Sequence, residues 1–323
     1  RGKTLGGAMP GVVVHAVRSL NSTGGLVRKL RAGFELGVGV WQAIRLVRQY
    51  RPRAVVGFGG YPSLPGALAA AWTDTPLVLH DQNVLLGRAN RLVARFATVI
   101  ATSFEQMIGL PKGKRICFTG NTVRPAIAAL RALPYVPPQP DGQIHVLCTG
   151  GSQGAKVFSE VLPAAFGLLE EPLRHRIILS QQARAETLEQ TRAAYDALGM
   201  GTRVELQPFF TDMPQRIARA HLCIGRAGGA TVAEWTAAGR PAIYIPLPIA
   251  ILDEQTWNAR AVEQAGGGWL VPQKEFTPKN LAAMLKRILT DPESLHTAAL
   301  AAHAQGRVDA AEKLADLVLE IAP

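Results

Sequence analysis

The sequence predicts an α/β protein of two doubly wound halves, each a parallel sheet covered by helices. Three observations carry that expectation. Short apolar runs alternate with helix-like stretches along the chain, the order of repeated βαβ units. Several runs end directly in Gly-rich or polar turns, where open parallel sheets hold their ligands. A segment carrying Pro134, Pro137, Pro138 and Pro140 interrupts the alternation, so Pro134–Gly142 reads as an interdomain linker. A ligand cleft is expected between the halves.

In the first half, Gly11–Val17 reads as a buried strand and Leu26–Gln49 as a helix, with helical spacing of Leu30, Phe34, Trp41, Ile44 and Val47. That helix opens with Leu26-Val27-Arg28-Lys29-Leu30-Arg31, which fits either an ordinary solvated basic face or a patch lying on anionic lipid. Ala54–Phe58 is the next strand, followed by Gly59-Gly60-Tyr61 and an Ala-rich helix from Ser63 to Trp72. Pro76–His80 runs straight into Asp81-Gln82-Asn83, and Thr98–Thr102 and Ile116–Thr119 complete the strands. Tyr61 and the His80–Asn83 cluster stand just past strand ends. A lone histidine there is more often structural, but three polar side chains in succession point to a site.

The second half opens with Ile144–Cys148 and the turn Thr149–Ala155, in which Ser152 and backbone N–H groups could meet a phosphate. Ile177–Leu179, Arg203–Gln207, Leu222–Ile224 and Ala242–Ile245 read as further strands, and Asp212 as the cap of a short helix. The run Leu222–Ile224 leads into GRAGGATVAE, Gly225–Glu234. Two glycines are expected to open the turn, and Thr231–Ala238 begins a helix whose positive end and unpaired N–H groups suit an anion. Glu234, one turn in, could accept hydrogen bonds from a ribose diol. A plain strand-to-helix turn with an acid near its start fits the same letters. Helices fill most of Pro278–Ile321.

Composition narrows the function. With 48% hydrophobic and 18% charged residues the chain can bury large cores. Cys117, Cys148 and Cys223 show neither a CxxC nor histidines at metal spacing, which fits a reducing compartment. No apolar stretch is long enough to span a bilayer and no signal peptide is visible, so a cytoplasmic protein, peripheral to a membrane, is expected. Residues 1–134 hold 18 Lys and Arg against 4 Asp and Glu, a net charge of +14, while the remainder holds 17 against 20. The first half therefore expects an anionic partner. Nucleic acid is disfavoured because the basic residues lack interleaved aromatics. The chain starts at Arg1, and an N-terminal piece is expected to be missing.

At this point the motifs line up. GFGGYPS (Gly57–Ser63), HDQN (His80–Asn83), GRANR (Gly87–Arg91), GNTVR (Gly120–Arg124), GGSQGA (Gly150–Ala155), FFTDMP (Phe209–Pro214), GRAGGATVAE and DEQTWNA (Asp253–Ala259) occur in order over essentially the whole chain. The sequence resembles the bacterial MurG glycosyltransferases of peptidoglycan synthesis. The resemblance implies a GT-B fold with residues 1–133 as acceptor and membrane-associated domain and 143–308 as nucleotide-sugar domain. It implies that the final helix, 309–323, packs back on the first. The implied partners are UDP-N-acetylglucosamine, the lipid-linked muramyl-pentapeptide and the anionic cytoplasmic face of the inner membrane, with no cofactor.

The resemblance also assigns roles. Ser152 and the helix start at Gly229, Ala230, Thr231 and Val232 would hold the diphosphate, and Glu234 the ribose. Backbone groups at Phe210, with Arg124 across the cleft, would recognise uracil, and Asn83, Gln255 and Asn258 the sugar. The implied reaction is an inverting single displacement by the 4-hydroxyl of the muramyl sugar, yielding the disaccharide lipid and UDP. No DxD-like carboxylate pair is present, so the leaving diphosphate is expected to rely on oriented N–H donors and not on a metal. The family's N-terminal GGTGGH loop, with its proposed histidine base, is not in this chain. Asp81, standing where the family usually has Glu, His80 and Tyr61 are the catalytic candidates left, and the chain is expected to bind donor but transfer slowly. Rival readings are another GT-B glycolipid transferase, a UDP-sugar epimerase, or a non-catalytic nucleotide-sugar binder.

Overall fold

The computed structural model describes residues 11–19, 26–150 and 156–322, with the side chains of 26–30 and 251 outside that description. The chain forms two compact units, Arg1–Thr119 with Glu312–Pro323, and Gly120–Ala311. In the first, β1 (Val55–Gly57), β2 (Leu77–Asp81), β3 (Val99–Thr102) and β4 (Arg115–Phe118) pair in that order, all parallel. Every residue of β2 and β3 is buried, as a parallel sheet covered on both faces requires. Alternation sorts the side chains. Leu77, Leu79 and Ile100 meet Leu64, Ala67 and Ala70 of the Leu64–Trp72 helix and Ala89 and Val93 of the Arg88–Val93 helix. Val78, Val99 and Ala101 meet Leu314 and Leu317 of the Ala310–Ile321 helix on the other face.

One expected strand is absent. Residues 12–19 carry no ladder, and Val12 and Val13 are 55% and 69% exposed. The segment instead lies along the Leu26–Tyr50 helix, where the Arg18 N–H donates to Gln42 Oε1 and His15 meets the Tyr50 hydroxyl, both at 3.0 Å. An apolar run signals a preference for burial, but a strand needs a ladder partner, and the run forms none.

In the second unit β5 (Ile144–Thr149), β6 (Ile177–Gln182), β7 (Val204–Gln207), β8 (Leu222–Gly225), β9 (Ala242–Tyr244) and β10 (Gly268–Leu270) form one parallel sheet of order β10-β9-β8-β5-β6-β7. The chain runs outward from β5 to β7, then returns to place β8 against the other edge of β5. This reversal makes the carboxyl ends of β5 and β8 a topological switch point, where open sheets leave a crevice for ligands. β10 escapes sequence reading because it is short and begins at Gly268. A Cβ at Gly268 would stand 2.5 Å from the Ala242 carbonyl oxygen, so packing against β9 selects the glycine.

Residues 134–142 are irregular, but the units divide earlier, at Thr119–Gly120. The short turns Pro125–Ala128 and Ala129–Ala132 bury Ile127 and Leu130 in the second unit, and Arg131 donates to the carbonyls of His303 (2.9 Å) and Gly306 (3.1 Å). Asp212 is positioned as the N-cap of the Met213–Arg219 helix but makes no side-chain cap; its Oδ1 accepts from Arg216 Nε at 2.8 Å. The competing guanidinium, four residues on, wins the carboxylate.

Candidate functional site

At the switch point, β8 ends at Gly225 and the chain turns through Arg226-Ala227-Gly228 into the helix Gly229–Ala237. Its ladder starts with the Val232 N–H on Gly228 O at 3.0 Å, and no side chain among the described residues caps it. The N–H groups of Gly229, Ala230 and Thr231 therefore have no intrahelical acceptor, and they stand at the positive end of the helix dipole. Two other helices of the unit are capped: Thr277 accepts from the Asn280 N–H and Asp291 from the Ser294 N–H. Val232 differs from its neighbours. Its N–H is spent in the ladder and its side chain is buried, so it supports the turn from below.

The glycines here have different jobs from those expected. Gly228 has φ −64° and ψ 147°, an extended conformation open to any residue. A Cβ there would meet nothing within 4 Å. At Gly225 a Cβ would stand 2.4 Å from Thr149 O and 2.8 Å from the Trp235 ring. Packing demands glycine at Gly225, while at Gly228 it leaves open room beside the free N–H groups.

Glu234 lies on this helix and meets Arg124. Arg124 Nε donates to Oε1 at 2.7 Å and Nη2 donates to Oε2 at 3.0 Å, and the hydrogen bond raises the Arg124 pKa above its ordinary value. Both residues belong to the second unit. Phe210 is buried under the Arg216 guanidinium, 3.9 Å from its ring centroid, and Arg216 is itself held by Glu205, Asp212 and Ser180. Neither the N–H nor the C=O of Phe210 has a partner among the described residues, leaving an edge of backbone that can pair with a base. Gln255 Oε1 accepts from the Leu247 N–H at 3.0 Å, which closes the loop after β9. Asn258 is fully buried, with Nδ2 donating to Ala227 O at 3.0 Å. That bond braces the turn after β8 from behind. Ser152 lies outside the described residues.

In the first unit the candidates cluster at the end of β2. His80 is fully buried, near Phe58 (5.7 Å between ring centroids) and Ser103 Oγ (3.4 Å from Nε2). Asp81 is 4% exposed, and its carboxylate is occupied. Oδ1 accepts from the Asn83 N–H (3.1 Å), and Oδ2 accepts from the Gly87 N–H (2.7 Å) and Asn90 Nδ2 (3.0 Å). This carboxylate ties the loop that presents Asn83. Tyr61 opens a turn of 3₁₀ helix, Tyr61–Ser63, and packs partly on the core. That turn follows Gly59 and Gly60 at φ +77° and +71°, where side chains are strained.

Matches to two family descriptions fall on these two halves: the glycosyltransferase family 28 N-terminal domain over residues 12–102 and its C-terminal domain over residues 145–314. A curated N-acetylglucosamine transferase of Rhodospirillum centenum is 52% identical over 99% of this chain and 84% of its own length. The corresponding transferase of Paramagnetospirillum magneticum is 47% identical over all of this chain and 87% of its own. Among solved structures, Acinetobacter baumannii MurG superposes with a TM-score of 0.75 at 31% identity, covering 92% of this chain and 83% of that one. The chain belongs to the MurG family. A UDP-GlcNAc 2-epimerase of Neisseria meningitidis shares the fold alone, at a TM-score of 0.60 and 15% identity, over 90% of this chain and 82% of its own.

Within a MurG-family site two residues went unread in the sequence. Arg226 is 9% exposed; Nη1 donates to the carbonyls of Ile245 (3.0 Å) and Pro246 (3.1 Å), and Nη2 to Gln273 Oε1 (2.7 Å). It ties the turn after β8 to the loop after β9, whereas an Arg in a Gly-rich turn suggests a phosphate ligand or surface charge. Asn90 is fully buried, with Nδ2 bonding His80 O and Asp81 Oδ2. It lies within the GRANR motif, but its partners are nine and ten residues back in the chain, at the end of β2, so the motif alone does not show its task.

Proposed function

We infer that the chain transfers N-acetylglucosamine from UDP-N-acetylglucosamine to the 4-hydroxyl of the lipid-linked muramyl-pentapeptide, the lipid I to lipid II step of peptidoglycan synthesis. The observation that carries this reading is the 52% identity, over 99% of the chain, to a relative named for that transfer. In the transfer, the 4-hydroxyl oxygen attacks the anomeric carbon, the bond from that carbon to the diphosphate breaks, and the hydroxyl proton leaves to a base. Negative charge grows on the diphosphate as UDP departs. The free N–H groups of Gly229, Ala230 and Thr231 suit that charge because they are already oriented, at about 3 kcal/mol per well-placed donor.

The finer assignments belong to the same reading. Glu234 takes the ribose, the Phe210 backbone the uracil, Gln255 and Asn83 the sugar hydroxyls, and Ser152 the diphosphate. Of His80, Asp81 and Tyr61 as candidates for proton transfer, Asp81 already accepts three N–H donors, which favours a loop-holding role for it. Phe34, Trp41, Arg45 and Arg48 occupy one face of the Leu26–Tyr50 helix, with the first two 68% and 57% exposed. That face suits the anionic cytoplasmic surface on which a lipid-linked acceptor resides.

The test incubates the protein with radiolabelled UDP-N-acetylglucosamine and a detergent-solubilised lipid-linked muramyl-pentapeptide. Equimolar UDP and labelled disaccharide lipid are expected, with no UDP release when the acceptor is omitted. Epimerised donor, or no disaccharide after prolonged incubation, overturns the reading.

A further inference from the structure

Arg124 and Glu234 are 110 residues apart in sequence, yet they meet as a fork, with Nε on Oε1 and Nη2 on Oε2. The two side chains are unequal. Glu234 is 18% exposed and Arg124 is 55% exposed, so the guanidinium fills no core and its removal leaves no hole. Each carboxylate oxygen has two lone-pair directions. The fork occupies the inner one on each oxygen, and the two that are left point outward on opposite sides of the carboxylate, in its plane. Each outward direction suits a single ribose hydroxyl. Unpaired, a glutamate on a helix turns among several rotamers; held by a planar fork it keeps one orientation. The carboxylate is also one turn from the free N–H groups of Gly229–Thr231, within the reach of a single nucleoside diphosphate.

We propose that Arg124 is a positioning residue: by fixing the Glu234 carboxylate it makes the site select ribose over deoxyribose in the nucleoside diphosphate, without reading the base. This rests on the reading of Glu234 as the ribose acceptor. It departs from the family resemblance, which implies a uracil contact for Arg124. The pair need not open for ligand to bind, because a ribose hydroxyl takes a lone pair that the guanidinium leaves.

Calorimetric titration of the whole protein with UDP, 2′-deoxy-UDP and CDP separates these roles, using the native chain, R124A, R124K and E234Q. The native chain is expected to favour UDP over 2′-deoxy-UDP by about tenfold or more, the loss of one hydroxyl bonded to a charged acceptor. In R124A and E234Q that ratio falls to within about twofold, while the preference for UDP over CDP is unchanged. R124K, which can engage only one oxygen, lies between, and it keeps the test open should R124A fail to fold by thermal melting. Loss of UDP-over-CDP preference in R124A with the ribose ratio intact shows that Arg124 reads the base, and overturns the proposal. Both ratios intact reduce the fork to a surface ion pair, and overturn it too. A native chain that binds none of the three overturns the functional reading beneath it.

Discussion

Gly225 and Gly228 look alike in the sequence and differ in physical demand. Replacing Gly225 with Ala drives a methyl group into Thr149 O and the Trp235 ring, and is expected to cost about 1–3 kcal/mol, seen as a lower Tm. Replacing Gly228 with Ala meets open space at an ordinary φ, so Tm should hold or rise slightly. Affinity for UDP should nevertheless drop on the order of tenfold, because the methyl enters room beside the free N–H groups. Unchanged affinity would place the diphosphate elsewhere. The local pattern of glycines identified a turn, but which glycine serves the fold depends on Thr149 and Trp235. Only β5 and the helix crossing beneath it bring those atoms near.

Among the elements, the loop after β2 shows how a motif can be found and its use misjudged. His80-Asp81-Gln82-Asn83 follows a fully buried strand, and its polar succession was legible as a site. That Asp81 would spend both oxygens on Asn83, Gly87 and Asn90 was not legible, because the partners depend on how the Arg88–Val93 helix returns over the strand. Asp81→Asn replaces an acceptor with a donor that faces N–H groups. It should cost about 1–3 kcal/mol of stability, with kcat at saturating donor reduced no more than about tenfold. A fall of about 10²–10⁴ in kcat at unchanged Tm would instead mark Asp81 as the proton-transfer group. The Gly229–Ala237 helix was the most legible element, since a short apolar strand, a Gly-rich turn and a helix-forming run are all local signals.

For the molecule as a whole, the charge division between the halves and the pH response are the measurable consequences. Vesicles containing anionic lipid are expected to bind the protein less as salt rises, and less again in Phe34→Glu or Trp41→Glu; binding insensitive to both would make the Leu26–Tyr50 face an ordinary solvated surface. Acid should destabilise the second unit through His221. Burial, with His145 and Arg240 nearby, pushes its pKa down to about 4, and burial and Arg219 push His145 in the same direction. Between about 4 and the ordinary value of 6.5 the unfolded chain binds more protons than the folded one. Stability is therefore full above 6.5 and lost as pH falls toward 4. Urea melts across pH 8 to 4 should show this slope, and His221→Gln should flatten it.

The parallel α/β character, nearly all the strands, the anion-suited turn and the basic first half were present in the order of residues, because each is a local matter of periodicity, turn chemistry or charge. Pairing was not. The strand order that sets β8 against β5, the fork joining Arg124 to Glu234, the brace from Asn258 to Ala227 and the unpaired fate of residues 12–19 all depend on groups distant in the chain meeting in space. A sequence records what each segment prefers; which partner satisfies that preference is settled when the sheets close and every buried donor and acceptor must find its match.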